Sequence, residues 1–359
     1  MKVLKPVLTA MLVAILAACS EEPASEAGGA GADSPTEWRF ALEEIQGSVQ
    51  DAYAQKFAEL VEAKTDGAIR VTVYPYGALG TSAQLTELVQ QGALEFAFAS
   101  PGHLGSVVPE VQVFSLHFLL SDSNAVNKQV LGESPILYGP LAEAYREKGL
   151  KLLTIIPEGW MVWTANRPLT TPDDFRGLKI RTMVSPLLVA SYQAYGADPT
   201  PMPYSEVYSG LQLGMIDAQV NPIFAIEEMS FYEVQKAMTM ARHSQFVASV
   251  VASQRFYESL TTEEQVMLDE VKRELDDYIF EVQTQYNAER LERIRQNSDI
   301  EIVELNDEQR AAFAELARPV RDRYRAAAGE RGAQILEGLV EEIRQSEAAL
   351  GQQQAAGAE

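Results

Sequence analysis

The heptapeptide GLKIRTM at residues 177–183, with Asn221-Pro222 further along, organises the reading of this chain. Leu178, Lys179 and Ile180 form a short strand that delivers Arg181 to its carboxyl end. Ser185-Pro186 follows at once, a cap and first turn for the next helix. Ligands of open α/β sheets sit outside the carboxyl ends of the strands. A guanidinium held there is a planar, permanently charged fork suited to a carboxylate. An arginine taken alone is more often a surface residue in a solvated ion pair, so the rest of the chain has to decide.

Residues 1–18 carry lysines at 2 and 5, then an apolar run from Val7, then small residues: a secretory signal, too short for a permanent membrane helix. Leu16-Ala17-Ala18-Cys19 looks like a bacterial lipobox, in which Cys19 is acylated and becomes the new N-terminus; an ordinary signal peptide that contains a cysteine is the competing reading. Cys19 is the only cysteine among 359 residues, which excludes an internal disulfide and a Cys-based metal site. Residues 19–36, rich in Ala, Gly, Ser, Glu and Pro, read as a flexible tether. A formal charge of −22 opposes nucleic-acid binding and offers no basic patch to anionic lipid. The 47% apolar content suffices for about two lobes with ordinary cores. No phosphate loop, nucleophile elbow, C-x-x-C or H-E-x-x-H string occurs.

The folded part opens with a strand at 37–42, ending in Glu43-Glu44. A helix at 48–64 follows, with Val49, Tyr53, Phe57, Leu60 and Val61 on one face. Strand 69–74, helix 83–91 stopped by Gly92, and an apolar strand at 94–100 complete a β-α-β-α-β order, the unit of a doubly wound sheet. A second set repeats it. An apolar strand at 150–156 ends at Pro157-Glu158-Gly159-Trp160, and Thr171-Pro172-Asp173-Asp174 starts a helical turn. GLKIRTM, helices at 186–195 and 205–213, and a strand at 215–220 running into Asn221-Pro222 then follow. The longest element spans 261–296, opened by a Thr261/Glu264 capping box. At 1.5 Å per residue it is roughly 45–50 Å long, enough to cross two lobes, with a coiled-coil partner helix as the competing reading. Helices at 306–325 and 332–350 and a polar tail close the chain.

From residue 37 to about 350 the pattern resembles the extracytoplasmic substrate-binding proteins of tripartite ATP-independent periplasmic (TRAP) transporters, DctP-like branch. The residues that carry the resemblance are GLKIRTM (177–183), PMPYSEVYSGLQLGMIDAQVNPIF (201–224) and YPYGALG (74–80). The resemblance implies an α/β, two-lobe periplasmic-binding-protein fold of type II kind, with hinge strands and a lobe-spanning helix. On that basis residues 37–158 plus about 247–286 are expected to form lobe I. Residues 159–246 plus about 287–350 are expected to form lobe II, and 351–359 a disordered tail.

The resemblance also implies a function: capture of a small carboxylate or zwitterion and its delivery to the TRAP permease in the membrane. The protein would work in the periplasm, anchored through Cys19, with no enzymatic chemistry, cofactor or metal. Arg181 would pair with the ligand carboxylate and Asn221 would support it, although an asparagine before proline is also an ordinary turn residue. The ectoine-binding members share EGWMVWTANRP (158–168), the Pro-Leu-Leu after IRTM, and Glu43-Glu44. In them a glutamate matching Glu44 faces a cationic group; a solvated surface glutamate is the alternative. Tyr204, Phe224 and Trp160 would supply apolar walls. The chain departs from the ectoine binders' aromatic box at His103, Tyr204, Ala225 and Gln245, which points to a more polar pocket. The sialic-acid members carry an arginine near Met161 that is missing here. His103 follows a strand end and either lines the cleft or sits on a surface loop, and His117 and His243 show no metal-ligand spacing. A sensory protein docking on a receptor and a secreted α/β hydrolase or lyase are the rival functions. The latter lacks a poised nucleophile or base.

Overall fold

The computed structural model describes residues 34–357. Cys19, the signal segment and nearly all of the expected tether lie outside them. Ten strands form one mixed sheet: β1 (Thr36–Ala41), β2 (Ile69–Tyr74), β3 (Phe96–Ala99), β4 (Leu150–Ala165), β5 (Lys179–Thr182), β6 (Asp198–Pro201), β7 (Ala218–Pro222), β8 (Ala237–Met240), β9 (Gln245–Ser253) and β10 (Glu301–Glu304). The order is β2-β1-β3-β9-β4-β7-β5-β6, with β8 on β4 and β10 on β8. Strands β2, β1 and β3 are parallel, as are β6, β5 and β7. The same second–first–third order thus occurs in both halves, as the two β-α-β-α-β sets require. Each triplet is closed by an antiparallel strand, β9 on β3 and β4 on β7, so neither half is purely parallel.

The central strand is the main departure from expectation. β4 does not stop at Pro157 but continues to Ala165, pairing with β9 along its first part and with β7 and β8 further on. Register shifts at Leu152/Thr154 and Pro157/Gly159 absorb the proline, which lacks a ladder donor. At Gly159 the backbone takes φ 139°, and a Cβ there would lie 2.5 Å from the Asn287 side chain. That asparagine donates to the Glu158 carbonyl at 2.8 Å and accepts from the Phe224 N–H at 3.2 Å. It belongs to the long helix Thr262–Asn297, whose capping box at Thr261/Glu264 is formed. Leu268, Val271, Leu275 and Ile279 of this helix pack with Phe40, Tyr53 and Phe57 of the first half. Its Ile294 packs with Val162, Met202 and Phe231 of the second. One helix therefore braces both cores.

Further corrections concern ends and partners. The third strand is only Phe96–Ala99, and β7 is shifted to include Asn221 and Pro222. Pro319 ends the expected 306–325 helix at Ala317, and a new helix runs from Val320 to Gly357 through a non-helical Gly329. This helix occupies part of the segment read as a disordered tail. Its Val320, Tyr324, Ile335, Leu336 and Leu339 pack with Leu85, Val111 and Val130, and the Tyr324 hydroxyl donates to the Glu110 carbonyl at 2.9 Å. Residues 320–343, expected in lobe II, pack mainly on elements of the first half and also with Leu187 and Ala190 of the second. The side of the sheet that an amphipathic helix covers is set by tertiary contacts that its own periodicity does not encode. Among the described residues no helix is long and apolar enough to cross a membrane.

Gly159→Ala should destabilise the protein by about 1–3 kcal/mol, because it forces a side chain into a positive-φ conformation and against Asn287. Denaturant unfolding of the variant beside the parent measures this.

Candidate ligand-binding site

The carboxyl ends of β1, β3, β5 and β7 converge on a cavity lined from both halves of the chain. Parallel pairing in each triplet brings these ends to one side. The first half contributes Glu43, Glu44, Gln50, Ser82, Ser100 and His103; the second contributes Arg181, Met183, Tyr204, Asn221 and Ala225, and β9 adds Phe246.

Arg181 is 1% exposed, held in β5 between β7 and β6. Its Nε donates to the Met202 carbonyl at 3.0 Å, which fixes the plane of the guanidinium. Among the described residues no carboxylate pairs with it, and burial lowers its pKa to about 10, with Tyr204 and Tyr76 acting in the opposite sense. Asn221 sits at the end of β7, and its Nδ2 donates to Gln219 Oε1. Gln219 Nε2 in turn donates to Thr164 Oγ1 at 2.9 Å, so a chain of side chains orients the amide. The Tyr204 ring meets Tyr76 and Phe231 edge-on, and its hydroxyl donates to the Ala225 carbonyl at 3.4 Å.

The opposite charge gathers behind the end of β1. Ser100 N–H donates to Glu43 Oε2 at 2.7 Å, while Oε1 makes no hydrogen bond, with His103 Nδ1 3.4 Å away. His103 Nδ1 lies 3.0 Å from Ser100 Oγ, on the short helical turn Pro101–Leu104. Gln50 N–H points at Glu44 Oε2 at 3.4 Å, and Gln50 Nε2 donates to Glu158 Oε1 at 3.0 Å. Burial, then the charge of Glu158, raises the Glu44 pKa well above the ordinary carboxyl value. Burial also raises Glu158 to about 7, and burial together with Glu44 raises Glu228 to about 8.

Five of the expected site residues therefore meet in one cavity: Arg181, Asn221, Glu44, Tyr204 and His103. Two do not. Phe224 is fully buried in the core with Trp38, Phe40 and Ile156, and half-buried Trp160 pairs with Gln245 along the sheet; neither lines the cavity. Gln245, expected in an aromatic slot, is buried with its amide oxygen accepting from Asn127 Nδ2 at 3.3 Å. Its neighbour Phe246 takes the pocket face, as strand alternation allows. Glu43, Gln50, Ser82, Ser100 and Met183 escaped the sequence reading. Only Glu43 and Ser100, both at strand ends, carried a usable signal. His117 and His243 lie outside the cavity in an aromatic cluster, with His117 Nδ1 2.7 Å from the Tyr195 hydroxyl and His243 Nε2 3.2 Å from that of Tyr192. Among the described residues no group of three or more His, Cys, Asp or Glu side chains is arranged to hold a metal ion.

Two halves of like topology, bridged by shared strands and closing on a polar cavity with buried charges of both signs, define a two-lobe solute-binding protein. The family model described as DctP, bacterial extracellular solute-binding protein, family 7, matches residues 40–327, and the chain belongs to that family. It is 41% identical over 301 residues to the ectoine-binding periplasmic protein TeaA of Halomonas elongata, covering 84% of this chain and 88% of that one. It is 39% identical over 311 residues to the ectoine/5-hydroxyectoine-binding periplasmic protein UehA of Ruegeria pomeroyi, covering 86% and 91%. Among solved structures it is similar to the apo open form of a TRAP periplasmic solute-binding protein from Marinobacter aquaeolei VT8, at 47% identity and a TM-score of 0.82, over 85% of this chain and all of that one. The expected membership among TRAP-transporter substrate-binding proteins holds, as does the expected fold class.

The shifted groups set a pH optimum for the fold. Burial lowers His117 to about 3 against an ordinary 6.5, so its contribution is complete above 6.5 and is lost as pH falls toward 3. Glu158 and Glu228 hold protons more tightly folded than unfolded, so stability is lost as pH rises from the ordinary 4.5 to about 7–8. Thermal unfolding of the unliganded protein should therefore peak between about pH 4.5 and 6.5. Glu158→Gln should flatten the alkaline side of that profile.

Proposed function

We propose that this protein captures a small zwitterion or carboxylate of the ectoine kind and delivers it, unchanged, to the membrane subunits of a TRAP transporter. The observation that carries this reading is Arg181, a buried guanidinium without a protein carboxylate, sharing one cavity with the buried carboxyl of Glu44. An unpaired buried charge costs several kcal/mol, and a ligand carboxylate offsets that cost. Asn221 adds a hydrogen bond to the ligand, and Glu44 reads its cationic side. Tyr204 and Phe246 give the cavity aromatic walls, and His103 with Ser100 makes one wall more polar than an all-aromatic box. Ectoine, which the named relatives bind, carries a carboxylate and an amidinium and so matches both charges. The protein is anchored on the periplasmic side through acylated Cys19.

Calorimetry with ectoine, 5-hydroxyectoine, glycine betaine and succinate tests the reading. Arg181→Ala should fold normally and lose about 3–5 kcal/mol of binding, roughly two to three-and-a-half decades in affinity. Unchanged affinity in that variant removes Arg181 from the site. Metabolic labelling with an alkyne fatty acid should mark the parent and spare Cys19→Ser; equal labelling of both places the anchor elsewhere.

A further inference from the structure

One wall of the pocket holds more carboxylate than a single ligand cation can use. Behind Glu44 stands Glu158 of β4, 0% exposed, whose Oε2 finds no donor among the described residues. Gln50 ties the two together, its backbone N–H toward Glu44 and its amide toward Glu158. Both carboxyl groups thus meet the same residue, and among the described residues no other hydrogen bond to either is formed. Two ionised carboxylates buried around one glutamine with so few donors repel each other and are poorly solvated, so one of the two holds a proton.

The surrounding charges do not remove that requirement. Glu43 on the strand-end loop and Glu228 on the helix Ile223–Glu228 add negative charge, and Asp51 lies behind them. Arg290 of the long helix is spent on Glu227 at 3.0 Å and Glu228 at 3.6 Å. His103 leans toward Glu43, and Arg181 and Tyr204 face the cavity from the second half. Among the described residues no cation pairs with Glu44 or Glu158.

Resting on the ligand reading above, we infer that Glu158 is a positioning residue that holds one proton against Glu44 in the unliganded protein. The cationic group of the ligand displaces this proton, so that capture of each zwitterion releases one proton to solvent. The exchange balances. The O–H bond to the carboxyl pair breaks, the proton passes to water, and the ligand cation supplies the positive charge in its place. The upward shifts of both groups, caused first by burial, agree with a proton retained near neutral pH. Specificity follows as well. A ligand with a carboxylate but no cation leaves the proton in place, so the pocket stays neutral toward it at that wall.

The test is calorimetry of ectoine binding to the full protein at pH 6 in buffers of different ionisation enthalpy. About one proton should be released per ectoine, and affinity should rise by up to about tenfold per pH unit between pH 5 and 7. Succinate should release none. In Glu158→Gln the new amide donates to Glu44 without a titrating proton, so release should fall to near zero and the pH slope should flatten. Binding of ectoine without proton release overturns the inference while leaving the ligand reading intact. If neither ectoine nor 5-hydroxyectoine binds, the ligand reading fails, and potentiometric difference titration of the unliganded proteins judges the carboxyl pair. The parent should hold one proton more than Glu158→Gln at pH 6, and equal uptake overturns the pair. Should that variant fail to fold, the same titration on Glu44→Gln decides.

Discussion

A guanidinium buried with no protein carboxylate to neutralise it is the constraint on which the molecule turns. Desolvating Arg181 is unfavourable, and the fold tolerates it by fixing the group in the middle of a parallel triplet, with one hydrogen bond to the Met202 carbonyl. Everything around it serves to keep internal acids away while leaving room for one from outside. Glu43 and Glu44 are held on the other half of the chain by Ser100, Gln50 and the end of β1. Separation of charge inside one cavity is thus a product of two lobes, each carrying its own sign.

The acidic wall is costly in the same way. Glu44, Glu158 and Glu228 are all shifted toward the neutral form by burial, and their mutual repulsion would be relieved by almost any polar substitution. Stability surrendered at a site is the usual mark of function, because buried groups with displaced pKa values gather where a ligand or proton is handled. Gly159 and Asn287 sit beside this wall and also lock the long helix to β4. The brace between the two cores and the chemistry of the pocket therefore share neighbouring residues. Closure of two lobes on a ligand is favoured only as far as the ligand binds the closed arrangement better.

Much of this was legible in the chain. Ser185-Pro186, Thr261/Glu264 and Gly92 mark helix ends by local chemistry, and all three operate as read. Strand-end positions made Arg181, Glu44 and His103 candidates, because parallel strands in a β-α-β set must point their carboxyl ends the same way; Asn221 and Tyr204 became candidates through the family resemblance. Trp160 and Gln245 lie on strands where adjacent residues face opposite ways, and which face meets the cavity depends on register against a distant partner. Phe224 lies on the helix Ile223–Glu228, which turns its ring into the core.

The sequence by itself determined the local elements, their caps, the two like sets of strands and helices, and the cationic fork at the end of β5. These follow from periodicity and from side chains acting within a few residues of themselves. Tertiary structure alone decided that β4 runs unbroken through Pro157, that the last helix packs mainly on the first half, that Phe246 rather than Gln245 faces the cavity, and that Glu158 stands behind Glu44. Those outcomes depend on pairing between segments far apart in the chain, where a single bulge reverses the direction of every side chain beyond it.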